Sequence, residues 1–153
     1  MKTIYCLLIS LLLFSCKSIS DNNFDNETLI SYESEPCYGK CEVFKLKINQ
    51  NKTIEYEGIM NVEKIGKYWA KISVNDYNKF KKLISEVDFK ITNSVYTSNS
   101  TDLHLRVLNI YKKKQDKKIL LFDNIPLELK KIEKEVYEII KKYKLKFKIN
   151  KQR

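Results

Sequence analysis

The chain reads as an α+β domain: an antiparallel β-sheet with two α-helices packed on one face, a two-layer sandwich. Three observations carry that reading. Several short runs alternate apolar with charged residues, the period of a half-buried strand. Two longer segments, around Phe80 and around Val136, place apolar residues three and four apart, the period of an amphipathic helix. The order is strands, helix, strands, helix, which suits helices gathered on one face of a sheet.

Thr28 to Ser34 is the first expected strand, ended by Pro36 and the turn Cys37-Tyr38-Gly39-Lys40-Cys41. Phe44, Leu46 and Ile48 alternate with Lys45 and Lys47, a strand with one wet face. The polar Asn49 to Lys52 turns the chain, and Thr53 to Ile59 returns with Ile54 and Tyr56 inward, completing a hairpin. Lys64 to Ile72 reads as a third member of this meander. At Ser73 the period changes. Ser73-Val74-Asn75-Asp76 resembles a capping box, and Tyr77, Phe80, Leu83, Ile84 and Val87 follow at helical spacing.

Ile91 to Ser100 reads as a loop. Leu103, Leu105 and Val107 restore strand period through Tyr111, with His104 and Arg106 between them. Lys112 to Lys117 turns the chain, and Ile119 to Phe122 is another strand. Pro126 marks a helix start. Its buried stripe is Leu129, Ile132, Val136, Ile139, Ile140 and Tyr143, with Glu138 and Lys142 as an i,i+4 pair. From Lys144 to Ile149 lysine alternates strictly with an apolar residue, which predicts a last strand with an all-lysine face.

The first 27 residues say where the protein works. A basic start, an apolar run from Ile4 to Phe14, and Leu13-Phe14-Ser15-Cys16 form a secretory signal that ends in a lipoprotein box. The apolar run is shorter than the ~20 residues a membrane span needs. Residues 1–15 are expected to be removed and Cys16 acylated, with palmitate or a similar chain. Residues 16–27 are then a polar tether, and 28–150 a single domain. The expected location is the bacterial cell envelope, outside the cytoplasm and on the outer membrane.

The chain carries 29 basic against 19 acidic residues, a formal charge of +10, and the signal removes only Lys2 of the basic ones. Export removes nucleic acid as a partner for this charge. Most lysines are interleaved with glutamates and suit a solvated surface. The strip Lys144, Lys146 and Lys148 is the exception, and is the candidate surface for an anionic lipid or polymer. An edge strand guarded by its lysines is the structural alternative.

Cys37 and Cys41 are the cysteines left in the expected domain. In an oxidising compartment such a close pair reads first as a disulfide, with Gly39 letting the turn bend. So small a ring stabilises by only ~2 kcal/mol. Two other readings stand beside it. With His104, the single histidine, the pair has the soft donors that suit copper(I). Alternatively it is a redox-active thiol pair. Catalysis finds little support: three glycines are too few for a phosphate loop, and Gly-x-Ser-x-Gly is absent. Thr101-Asp102, the pair Glu55 and Glu57, and Trp69 beside Tyr68 each read more simply as structure than as a site.

The segment Pro36-Cys37-Tyr38-Gly39-Lys40-Cys41-x-Val43-Phe44, followed by Tyr56-Glu57-Gly58, resembles an uncharacterised bacterial lipoprotein family, domain of unknown function 6438. The Ile72-Ser73 helix start and Thr101-Asp102 fit it too, and the likeness runs from about Leu29 to Lys142. Glu42 and His104 depart from the prolines usual at those places, so a metal role for His104 would not be a family property. The resemblance implies fold and location, and brings no activity, cofactor or catalytic residue. The expectation is therefore a lipid-anchored envelope protein, not an enzyme and without a cofactor. It would act as a binding module toward another envelope protein or an anionic polymer. A periplasmic copper or thiol-handling protein using Cys37, Cys41 and His104 is the alternative.

Overall fold

The computed structural model describes residues 27–100, 102–112 and 115–149. Cys16, the segments 1–15 and 16–26, and Thr101 lie outside the described residues. The elements are β1 (Thr28–Ser34), β2 (Val43–Asn49), β3 (Thr53–Met60), β4 (Gly66–Lys71), α1 (Val74–Glu86) and β5 (Val95–Tyr96). They continue with β6 (Arg106–Lys112), β7 (Gln115–Leu121), α2 (Leu127–Tyr143), a 3-10 turn (Lys144–Lys146) and β8 (Lys148–Ile149). The fold is α+β. Among the described residues the strands form one sheet in the order β5-β7-β6-β1-β2-β3-β4-β8.

One face of the sheet follows from the alternation. Tyr32 on β1 stands between Leu46 on β2 and Leu108 on β6. Leu46 in turn faces Tyr56, and Ile48 faces Ile54. All are buried, in one cluster with Phe80 and Ile84 of α1 and Leu129, Ile132, Val136 and Ile139 of α2. On the opposite face Glu33, Lys45, Glu57 and Lys67 stand in a row across β1 to β4. Lys45 pairs with Glu33 at 2.8 Å, so the row is self-neutralising rather than basic.

The sheet is not purely antiparallel. β5 runs parallel to β7, with Val95 beside Leu120 and Tyr96 beside Leu121. This strand falls inside the expected loop 91–100, because two residues are too few to show a period. The tail is corrected as well. The strand expected over Lys144–Ile149 is reduced to Lys148–Ile149, since α2 is prolonged through a 3-10 turn before the chain extends. Lys142 does not pair with Glu138; it reaches across to Asp76 at 2.7 Å.

The start of α1 shows how the two helices are joined. Ser73 Oγ accepts the Asp76 amide at 3.1 Å, as a capping residue should. In a capping box the carboxylate would take the amide of Ser73. Here that amide donates to Tyr143 Oη at 2.7 Å, and the Tyr143 hydroxyl donates to Asp76 Oδ2 at 2.7 Å. A side chain from the end of α2 thus completes the cap of α1.

Candidate functional site

A groove of about 350 Å³ opens between the β2–β3 end of the sheet and the C-terminal half of α2, within the size range of ligand sites. Its floor is aromatic. Tyr56 and Phe147 stack with centroids 5.2 Å apart, and Phe44 meets Tyr137 edge-on at 5.5 Å. Val62 and Ile140 add apolar wall, while Glu42, Glu63, Glu138, Lys64, Lys141 and Lys144 line the rim.

Four contacts build this groove. Cys37 and Cys41 form a disulfide, with Cα atoms 5.8 Å apart, which closes the turn before β2. Asn61 adopts the left-handed region (φ 57°) and donates its side-chain amide to the Cys41 carbonyl at 3.0 Å. The β3–β4 loop then folds back over Gly58. A Cβ on that residue would lie 1.8 Å from the Lys64 carbonyl oxygen, so the approach is open only to glycine. Lys144 Nζ meets Glu63 Oε2 at 2.7 Å and ties the loop to the turn after α2.

Tyr56 is the distinctive group. The residue as a whole is only 4% exposed, but no sealed side-chain oxygen among the described residues lacks a partner, so its hydroxyl opens to the groove rather than standing unpaired in the core. It lines the groove. Burial, reinforced by the charges of Glu42 and Glu63 and by Tyr68, pushes the phenol up to about 12, so it is a neutral donor at physiological pH. The hydroxyl is thus free to meet what enters the groove, water included.

Beside the groove a second polar cluster ties α2 to the sheet. Glu133 Oε1 accepts from Tyr32 Oη at 2.9 Å and from Arg106 Nε at 3.0 Å. Arg106 also donates to the carbonyls of His104 and Phe122. Burial and the Glu133 charge push the Tyr32 phenol far up. Ser34 Oγ and His104 Nε2 are 3.2 Å apart, a spacing that invites comparison with a nucleophile and its base. The protons run the other way. Nε2 lies 2.8 Å from the Glu35 carbonyl, which can only accept, so this nitrogen carries its proton. The Ser34 hydroxyl is directed to the Glu42 carbonyl at 2.5 Å. The pair is a clamp between the disulfide turn and β6.

The sequence candidates are engaged in other contacts by the fold. The sulfurs of Cys37 and Cys41 are bonded to each other, and His104 is engaged by Ser34 and Glu35. Among the described residues no group of three His, Cys, Asp or Glu could hold a metal ion. Lys144, Lys146 and Lys148 do not share one strand face. Lys144 pairs with Glu63, Lys146 lies over the Tyr143 ring, and Lys148 lies over Trp69. The groove itself escaped sequence reading. Tyr56 was legible as an inward strand residue, but its place at a groove depends on Phe147 and α2, distant in the chain.

An α+β domain with this sheet order and a disulfide-closed turn before β2 is the class the geometry defines. A family model, domain of unknown function (DUF6438), matches residues 28–140, and the chain belongs to that family. No curated protein matches it. The Cys37-x3-Cys41 turn, Phe44, Tyr56 and Gly58, on which the resemblance rests, are the turn, floor and loop seat of the groove.

Proposed function

We propose that this protein is a lipid-anchored component of the bacterial cell envelope, acylated on Cys16 after loss of residues 1–15, on the outer membrane. Its domain is a non-catalytic binding module that takes its ligand in the groove of Tyr56. We further infer a two-layer arrangement, with α1 and α2 together on the Phe44–Leu46–Ile48 face; their shared apolar cluster supports it. One observation carries the binding reading: a groove of about 350 Å³ with an aromatic floor of Phe44, Tyr56 and Phe147, into which the Tyr56 hydroxyl opens.

The alternatives have less behind them. A copper or thiol-handling role for Cys37, Cys41 and His104 needs free thiolates, which the disulfide removes while it stands. Contact with an anionic polymer through Lys146 and Lys148 is the secondary surface, since Lys144 is already paired.

The anchor is tested by growing the producing bacterium with labelled palmitate. Label on the native chain and none on Cys16→Ser supports the proposal; absence of label from both contradicts it. The groove is tested by Val62→Trp, whose larger ring fills it. Loss of ligand binding with an unchanged fold supports the assignment, and full binding by the filled variant contradicts it.

A further inference from the structure

We propose that the groove selects an uncharged saccharide, seating one sugar ring on its aromatic floor; this rests on the groove being a binding site. The floor comes first. Tyr137 and Phe147 keep part of their rings accessible, and an aromatic ring offers a flat apolar surface to the C–H face of a pyranose. The polar groups come second. The Tyr56 hydroxyl is a neutral donor that opens into the groove, and a sugar hydroxyl or ring oxygen is the kind of neutral acceptor it can meet there.

Charge narrows the class further. The rim holds three carboxylates and three ammonium groups, and Glu63 and Lys144 satisfy each other at 2.7 Å. Neither an anion nor a cation is favoured by such a balance. A polyol, whose hydroxyls both donate and accept, is matched by Glu138 and Lys141 together. A peptide is disfavoured by topology. β2 and β3 are paired on both sides, so no open strand edge borders the groove for an extended chain to join.

The test is calorimetric titration of the full chain in detergent micelles. The probes are chitotetraose, cellotetraose and maltotetraose, beside a zwitterionic tetraglycine. Saturable binding of at least one oligosaccharide is expected, little changed by salt and abolished in Val62→Trp. It should weaken about 5-fold in Tyr56→Phe, the effect of one neutral hydrogen bond. Tetraglycine binding without saccharide binding overturns the ligand class and leaves the groove as a binding site. Saccharide binding indifferent to both substitutions overturns the site. Silence toward every probe overturns the saccharide proposal, while Val62→Trp with any other ligand still decides the binding reading by itself.

Discussion

The side-chain amide of Asn61 lies 3.0 Å from the carbonyl oxygen of Cys41, joining the β3–β4 loop to a turn that the Cys37–Cys41 disulfide has already closed. The disulfide therefore orders more than its own ring. It gives the loop over the groove a fixed acceptor.

Replacing Asn61 with alanine removes that hydrogen bond and leaves a residue with a Cβ in the left-handed region. The expected loss is about 1–2 kcal/mol. Asn61→Gly loses the bond but keeps the conformation, and should cost less. Urea unfolding of the two variants distinguishes the contributions; equal losses would remove the conformational one.

Gly58→Ala meets a harder obstacle, since backbone rather than a movable side chain stands 1.8 Å from the new Cβ. The loop has to shift, with an expected cost of about 2–4 kcal/mol. The midpoint of thermal unfolding should fall by several degrees. An unchanged midpoint would show that the loop does not rest on Gly58.

Asp76 makes acid the weak side of the helix pair. Burial opposes ionisation, but hydrogen bonds from Lys142, Ser73 and Tyr143 outweigh it and hold the carboxyl at about 2, below its ordinary 3.8. A depressed folded value means the contribution is complete above pH 3.8 and fades as pH falls toward 2. Asp76→Ala should be less stable than the native chain at pH 7, and the gap should close across that window. A gap that persists at pH 2 would assign the loss to packing instead.

Glu133 accepts from both Tyr32 and Arg106 at a site where neither ion is more than about one-sixth exposed. Glu133→Leu strands the guanidinium and the phenol together and should cost about 3 kcal/mol. Tyr32→Phe removes one neutral partner and should cost about 1 kcal/mol. Chemical denaturation checks the ranking; a Tyr32→Phe loss as large as that of Glu133→Leu would contradict it.

Local period accounts for what was legible in advance. Phe44, Leu46 and Ile48 declared their face because strand alternation is a local property, and Leu129, Ile132, Val136 and Ile139 declared theirs in the same way. Ser73 announced a helix start from its own neighbours, but Tyr143, which completes that cap, lies 70 residues away. Other features also depend on distant partners. Lys142 turned to Asp76 across the helix pair, and His104 met Ser34 from 70 residues away. The lysine alternation from Lys144 was real as a pattern and misleading as structure, because α2 carried its winding into a 3-10 turn. The groove belongs to this second group: its floor joins β2, β3 and Phe147, and no local window contains all three.

The most direct test of the central claim is methyl-resolved NMR of the full chain in micelles. Val62 and Ile140 report from the groove, and Ile110 and Ile119 from the sealed core. The spectra are followed during titration with uncharged oligosaccharide, tetraglycine and anionic vesicles. The account predicts saturable shifts at Val62 and Ile140, with Ile110 and Ile119 unmoved. Silent groove methyls toward every probe, with changes confined to the tail around Lys146 and Lys148, would contradict it and move the binding surface to the tail.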